Sequence, residues 1–186
     1  MNRIAVDIDE TLLHFLPNMA KFHKMELPYK KFRYVYRNIF DITEARSKRM
    51  VIDFYNSQEF HDLEPMKGSQ EKLLELRNKC SKLYVVTGRQ YYVRQRTEDW
   101  IEKHYSGIFD DIVLTNSYTQ HEVSKVDIFR SLNIDTVIDD DSKVCLESAR
   151  AGIKPYNFTN DPVYPWYEEY EYADFSLKRW EDLEVV

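Results

Sequence analysis

The apolar positions of the chain fall into two kinds of pattern. Four are short continuous runs of strand length: Arg3–Ile8, Lys82–Thr87, Asp111–Thr115 and Asp135–Asp139. Runs of this kind, bounded by polar residues, read as strands buried on both faces. Helical spacing fills the intervals between them. "GSQEKLLELRNKC" puts Leu73, Leu76 and Cys80 on one stripe, and "YVRQRTEDWIEKHY" puts Val93, Trp100, Ile101 and His104 on another. "SKVDIFRSL" and "SKVCLESARAG" follow, with Gly152 where a helix C-terminus favours glycine. Strands alternating with helices predict an α/β fold, a Rossmann-like parallel sheet with helices on both faces.

One interval breaks the rhythm. About sixty residues separate the first strand from the helix near Gly68, far more than a βα loop needs. The pattern there predicts helices over Leu12–Met25 and Glu44–Asn56, with Pro28 and the aromatic stretch "KKFRYVYRNIF" between them. We read a small helical cap, residues 14–65, inserted after the first strand of a core made of residues 1–13 and 66–186.

The composition, 43% apolar and 31% charged, is that of a globular chain of one domain with an insertion. A net charge of −6 argues against a general nucleic-acid binder, without excluding a local basic patch. No apolar stretch is long enough to span a membrane, and "MNRIAVDIDE" turns acidic where a signal peptide would be apolar. Cys80 and Cys145 share no paired spacing, so both are expected as reduced thiols in a cytoplasmic protein. The five histidines show no metal-ligand spacing and are expected at the surface or half-buried.

The chemistry lies at the strand ends. In open parallel sheets, ligands bind outside the carboxyl ends of the strands. The first strand ends in Asp7 and Asp9, with Thr11 beyond; the second in Thr87, Gly88 and Arg89; the fourth in Asp139, Asp140 and Asp141. Lys125 opens the helix after the third. Carboxylates converging from two strands need a cation, and a hard divalent ion such as Mg²⁺ suits oxygen ligands together with substrate phosphate. Taken singly, the acids read as helix N-caps. Four such motifs in this order are harder to explain that way.

"DIDET", "VVTGR", the lysine of "HEVSKVDIF" and "VIDDD" resemble the four motifs of the haloacid-dehalogenase-like phosphohydrolases. The resemblance covers essentially the whole chain. Within that superfamily, "LLHFLPNMAKFHK", "FYNSQEFHDLEPMKGSQEKLLEL", "KVDIFRSLNIDTVIDDDSKVCLESARAGI" and "SLKRWEDL" are most similar to the 5'(3')-deoxyribonucleotidase group. The resemblance implies that Asp7 attacks phosphorus and that Asp9 protonates the leaving oxygen and then activates water. It also implies that Thr87 and Lys125 hold the phosphoryl oxygens. Mg²⁺ is implied on Asp7, the Asp9 carbonyl and Asp140, with Asp139 in the outer sphere, although the sequence does not rank Asp139 and Asp140 firmly. Lys143 is the rival of Lys125, which is preferred because it precedes the fourth strand. Arg89 is expected either on substrate phosphate, with Gly88, or on a core acid. Thr11 is expected as a hydrogen-bond support, and Glu10 has no assigned role where the group often carries glycine or a smaller acid.

The cap is basic and aromatic. Lys21, Lys24, Lys30, Lys31, Arg33, Arg37, Arg46, Lys48 and Arg49 face few acids, while Glu168, Glu169, Glu171 and Asp174 crowd the C-terminal end. Such a cap would attract a phosphorylated substrate, or else form a solvated helix face. Phe32, Tyr36 and Phe40 are the candidates to stack on a nucleobase, against the alternative of cap packing. The leading expectation is a nucleotidase acting on a small nucleoside monophosphate. A polynucleotide 3'-phosphatase, with Arg94 and Arg96 on a strand end, and a catalytically silent phosphate-binding module are the alternatives.

Overall fold

A computed structural model of the protein describes residues 2–171 and 175–184, so Asp174 of the C-terminal acidic run lies outside the described residues. Strands β1 (Arg3–Val6), β2 (Lys82–Thr87), β3 (Asp111–Leu114), β4 (Thr136–Asp139), β5 (Lys154–Phe158) and β6 (Ser176–Leu177) form one sheet in the order β3-β2-β1-β4-β5-β6. Every pairing is parallel, with Val6 beside Val85 on one side and Ile138 on the other. Chain order runs outward from β1 in both directions, so the switch point of the sheet lies between β1 and β4.

β1 alternates between two cores. Ile4 and Val6 face a large cluster with Leu73, Leu76, Trp100 and Trp180. Ala5 faces the other side with Val86, Phe129, Val137 and Ile153. Helices α5 (Ser69–Lys79) and α6 (Arg94–Tyr105) supply residues to the first cluster, and α7 (Lys125–Ser131) supplies Val126 and Phe129 to the second. Helix α8 (Ser142–Arg150) follows β4, and Gly152 takes a φ of +78° just after it, the left-handed conformation that glycine adopts readily.

The two added strands escape the apolar-run pattern for physical reasons. Pro155 interrupts the run of β5 and lacks a ladder donor. It is tolerated because β6 pairs only with Asn157 and Phe158, leaving β5 an edge at Pro155. β6 is two residues long, too short for any periodicity.

Four helices lie between β1 and α5: α1 (Phe15–Phe22), α2 (Tyr36–Ile39), α3 (Glu44–Tyr55) and α4 (Gln58–His61). α1 starts later than the sequence pattern predicts. The N–H groups of Thr11, Leu12 and Leu13 all turn back to the Ile8 carbonyl at 2.7–3.2 Å, and Glu10 sits at φ +59°. It also ends earlier, because Lys24 takes φ +55°. Phe15 anchors the insertion, with ring centroids 5.2 Å from Phe54, 5.0 Å from Tyr55 and 6.4 Å from Phe60. Phe40 belongs to the same buried cluster as the sheet's Ile4 and Val6. The insertion therefore shares the main core. All nine of its basic residues named above are exposed. Among them, Arg37 and Lys48 pair with Glu44, and Arg49 pairs with Asp53, contacts of small energetic weight at the surface.

Glu10, unassigned from sequence, pins the insertion to the sheet. Its side chain is fully buried; Oε1 accepts from the Leu16 N–H at 2.7 Å and Oε2 from the Tyr34 hydroxyl at 2.5 Å. Its backbone carbonyl accepts from the Tyr164 hydroxyl at 2.8 Å. At this positive φ a glycine would carry no Cβ penalty, so the hydrogen bonds of the Glu10 side chain, and not backbone preference, favour glutamate here. Thr11 differs from expectation. Its hydroxyl has no partner among the described residues, and its carbonyl does the supporting instead, accepting from the Trp180 indole at 2.8 Å.

Burial, and then the Asp9 charge, push the Glu10 carboxyl up to about 8 from an ordinary 4.5. A raised carboxyl keeps its proton in the folded chain while the unfolded chain releases it, so stability falls as pH climbs between those two values. Glu10→Gln keeps polar partners for Leu16 and Tyr34 but removes the proton release. With chelator present, its melting temperature relative to wild type should rise by at least about 3 °C between about pH 5 and about pH 8.5. A difference that stays constant with pH contradicts a protonated, buried Glu10. Phe40→Ala should cost about 3 kcal/mol in denaturant unfolding, as removal of a buried ring does. A loss below about 1 kcal/mol would mean the ring faces solvent or ligand instead.

Candidate active site

The carboxyl ends of β1 and β4 meet at the switch point, and the acids gather there. Asp7, Asp139 and Asp140 each place one carboxylate oxygen so that the three lie within 4.8 Å of one another, all buried. Lys125, at the first position of α7, reaches across to them. Its Nζ donates to Asp139 Oδ2 at 2.7 Å and pairs with Asp7 Oδ1 at 3.0 Å. Lys143, the rival lysine, is exposed and faces Glu147 at 3.8 Å. The sequence alternative of helix caps applies to Asp141, whose Oδ1 accepts from the N–H groups of Lys143 and Val144 at the start of α8. Asp139 and Asp140 do not cap that helix.

The two oxygens of Asp139 are both engaged, one by Lys125 and the other by the Asp141 N–H at 3.0 Å. Asp140 is placed differently. Its Oδ2 accepts from the Trp166 indole at 2.9 Å, and Oδ1 has no hydrogen-bond donor among the described residues. Asp7 Oδ1 is buried, faces the Lys125 charge at 3.0 Å and has no geometrically formed hydrogen bond among the described residues.

Electrostatics follow from this crowding. Burial raises the Asp139 carboxyl to about 7, with Lys125 opposing the rise and Asp7 adding to it. Burial also pushes up Asp7, against Lys125 and with Asp9, and pushes Asp140 further, with Asp139 and Asp7 adding to it. Burial works against the Lys125 charge, but Asp139 and Asp7 outweigh it and hold the ammonium above its ordinary range. Three buried acids against one lysine leave an unmet demand for positive charge. Oxygen donors at this spacing fit a hard divalent cation.

Asp9 stands beside this cluster in the grip of Arg89. The guanidinium donates through Nη2 to Asp9 Oδ1 at 2.7 Å and through Nε to Oδ2 at 3.1 Å, and through Nη1 to the Thr97 hydroxyl at 3.1 Å. Arg89 is 2% exposed and lies 5.2 Å from the Tyr55 ring centroid and 5.3 Å from that of Phe60. Of the two places open to Arg89 from sequence, the structure puts it on the acid. Thr87, 1% exposed, ends β2, and its hydroxyl faces the Arg89 N–H at 3.4 Å. Gly88 follows where an added Cβ would come within 3.2 Å of Ser117 Oγ, so the loop after β3 packs onto the loop after β2.

The aromatic candidates separate. Phe32 and Tyr36 are half-buried, whereas Phe40 is packed in the main core. Arg94 pairs with Glu98 at 3.0 Å, and Arg96 Nη1 lies 2.7 Å from His61 Nε2, so both already have protein partners. No histidine joins the acid cluster among the described residues, and Cys80 and Cys145 are free. Sequence reasoning assigned no site role to Tyr34, Tyr164 or Trp166. The signal available for the last two was "NDPVYPWY" following β5, an aromatic, proline-containing loop on the carboxyl side of the sheet.

Known proteins resemble this chain in sequence or in fold. A protein of Oceanobacillus iheyensis, provisionally named a nucleotidase, is 23% identical over 154 residues, covering 75% of this chain and 77% of that one. A structure from Haemophilus somnus, described as a predicted phosphoglycolate phosphatase, matches at TM-score 0.68 and 15% identity over 98% of this chain and 96% of that one. A haloacid-dehalogenase family hydrolase from Deinococcus radiodurans, with bound phosphate and sodium, matches at TM-score 0.64 and 12% identity over 98% of this chain and 93% of that one. Residues 2–154 match the profile of the family described as 5' nucleotidase, deoxy (pyrimidine), cytosolic type C. With its parallel sheet and its acids at the switch point, the chain belongs to that nucleotidase family of haloacid-dehalogenase-like phosphatases, and it is a phosphoric monoester hydrolase.

Proposed function

We propose that the protein is a Mg²⁺-dependent 5'-nucleotidase that hydrolyses nucleoside and deoxynucleoside monophosphates through an aspartyl-phosphate on Asp7. The observation that carries this reading is the convergence of Asp7, Asp139 and Asp140 on one buried point, with Lys125 bridging two of them. The family description supports the substrate class and a cytoplasmic setting.

In this reading Mg²⁺ would be held by Asp7, the backbone carbonyl of Asp9 and Asp140, whose Oδ1 has no hydrogen-bond donor among the described residues. Asp139, with both oxygens taken, orients Lys125. When bound, the ion would supply positive charge to the phosphoryl oxygens. Thr87, Gly88 and Lys125 line the place for those oxygens. An Asp7 oxygen attacks phosphorus while the bond to the leaving oxygen breaks and Asp9 gives that oxygen its proton. Water then attacks phosphorus, Asp9 takes its proton, and the bond to Asp7 breaks to release phosphate. Arg89 fixes the position of the Asp9 carboxylate through its two hydrogen bonds. The insertion over residues 14–65 serves as the cap, and Phe32 and Tyr36 form its base-facing wall.

Hydrolysis of an aryl phosphate should require Mg²⁺ and stop on chelation, and Asp7→Asn should abolish it. Asp9→Asn should lower kcat by about 10²–10⁴, the usual weight of a positioned proton donor. Turnover that survives chelation, or an Asp7→Asn enzyme that keeps it, rules out this chemistry. In a substrate panel, nucleoside monophosphates should outcompete a 3'-phosphorylated oligonucleotide. The reverse ranking would reassign the protein to strand ends.

A further inference from the structure

Trp166 carries no role in the chemistry above, yet it touches the acid cluster directly. Its indole N–H donates to Asp140 Oδ2 at 2.9 Å, and the residue is 8% exposed. The ring lies flat on Tyr164, with centroids 4.4 Å apart and planes within 15°. Tyr34 and Phe32 of the insertion pack against the same ring, at centroid distances of 4.9 Å and 5.9 Å. The backbone seals this contact, because the Phe32 N–H donates to the Pro165 carbonyl at 3.2 Å. Both flanking tyrosines also reach the catalytic loop, Tyr34 through Glu10 Oε2 and Tyr164 through the Glu10 carbonyl.

Lys125 pairs with Asp139 and Asp7, and among the described residues the hydrogen-bond donor to Asp140 is the indole, so the orientation of Asp140 rests on it. A neutral N–H donor fixes one carboxylate oxygen and leaves the charge intact. The other oxygen is then presented to the acid cluster in a set direction. Donors of this kind, one step behind a metal ligand, orient it, and their loss typically costs 10–100-fold in metal affinity. The indole is itself fixed by a stack whose outer members belong to the insertion. The seating of residues 32–34 and the direction of Asp140 are thereby joined through one ring.

We propose that Trp166 is a positioning residue that aims Asp140 at the metal and makes Mg²⁺ affinity depend on how residues 32–34 of the insertion seat against the loop after β5. This rests on the reading of Asp140 as a metal ligand. It goes beyond that reading in assigning an aromatic residue and the insertion a part in metal binding.

Calorimetric Mg²⁺ titration separates the two ideas. Asp140→Asn should abolish binding; if it does not, the ligand assignment fails. Trp166→Phe keeps a ring in the stack but removes the donor, and should weaken Mg²⁺ binding about 10–100-fold. Wild-type affinity in Trp166→Phe, alongside lost binding in Asp140→Asn, would overturn the positioning role alone. A second measurement needs no Trp166 variant. The indoles of Trp100 and Trp180 donate to the carbonyls of Leu63 and Thr11, so the third indole is the one bonded to a carboxylate. In ¹⁵N-tryptophan-labelled wild-type protein, one indole N–H signal should shift on Mg²⁺ titration with the calorimetric affinity. Three unmoved indole signals would overturn the proposal.

Discussion

The constraint on which this structure depends is the burial of several carboxylates around one lysine. Asp7, Asp139 and Asp140 meet at the carboxyl ends of β1 and β4, and Glu10 is buried one loop away. Isolated buried charges are costly unless paired. The fold meets that cost in three ways. Lys125 pairs with two of the acids, Arg89 neutralises the nearby Asp9, and burial itself favours protonated carboxyls at Glu10 and Asp139. What these leave unmet is the demand that a divalent cation would satisfy. The sheet makes the convergence unavoidable, because neighbouring parallel strands put their ends side by side at the switch point.

The insertion is tied to that centre by more than proximity. Tyr55 and Phe60 flank the Arg89 guanidinium that holds Asp9. Tyr34 donates to Glu10, and Phe32 and Tyr34 pack on the ring that donates to Asp140. Each acid of the catalytic region outside the Lys125 pair is thus reached, directly or through one residue, from the inserted helices or their connecting segment. A shared hydrophobic core running through Phe15, Phe54 and Phe60 into the sheet keeps these contacts in register.

Much of this was legible in the sequence because it is written locally. Strand length and apolar continuity identified β1 to β4, and the acids following β1 and β4 marked their ends. β5 and β6 were illegible, since Pro155 breaks one run and the other is too short to have a pattern. The family resemblance supplied the motif order and, with it, the preference for Lys125 over Lys143. The partners of Arg89, Glu10 and Asp140 could not be read off, because each depends on a contact between distant segments: Arg89 with Asp9, Glu10 with Tyr34 and Tyr164, Asp140 with Trp166. Phe40 looked equivalent to Phe32 and Tyr36 in the aromatic stretch, and only packing separates the core ring from the half-buried ones.

If the converging acids bind a cation, the unfolding free energy should depend on Mg²⁺. At about 100-fold over its dissociation constant, the ion should stabilise the wild-type chain by about 2.7 kcal/mol and leave Asp140→Asn nearly unchanged. A wild-type chain indifferent to Mg²⁺, or an Asp140→Asn chain stabilised to the same degree, would mean that these acids do not hold the ion.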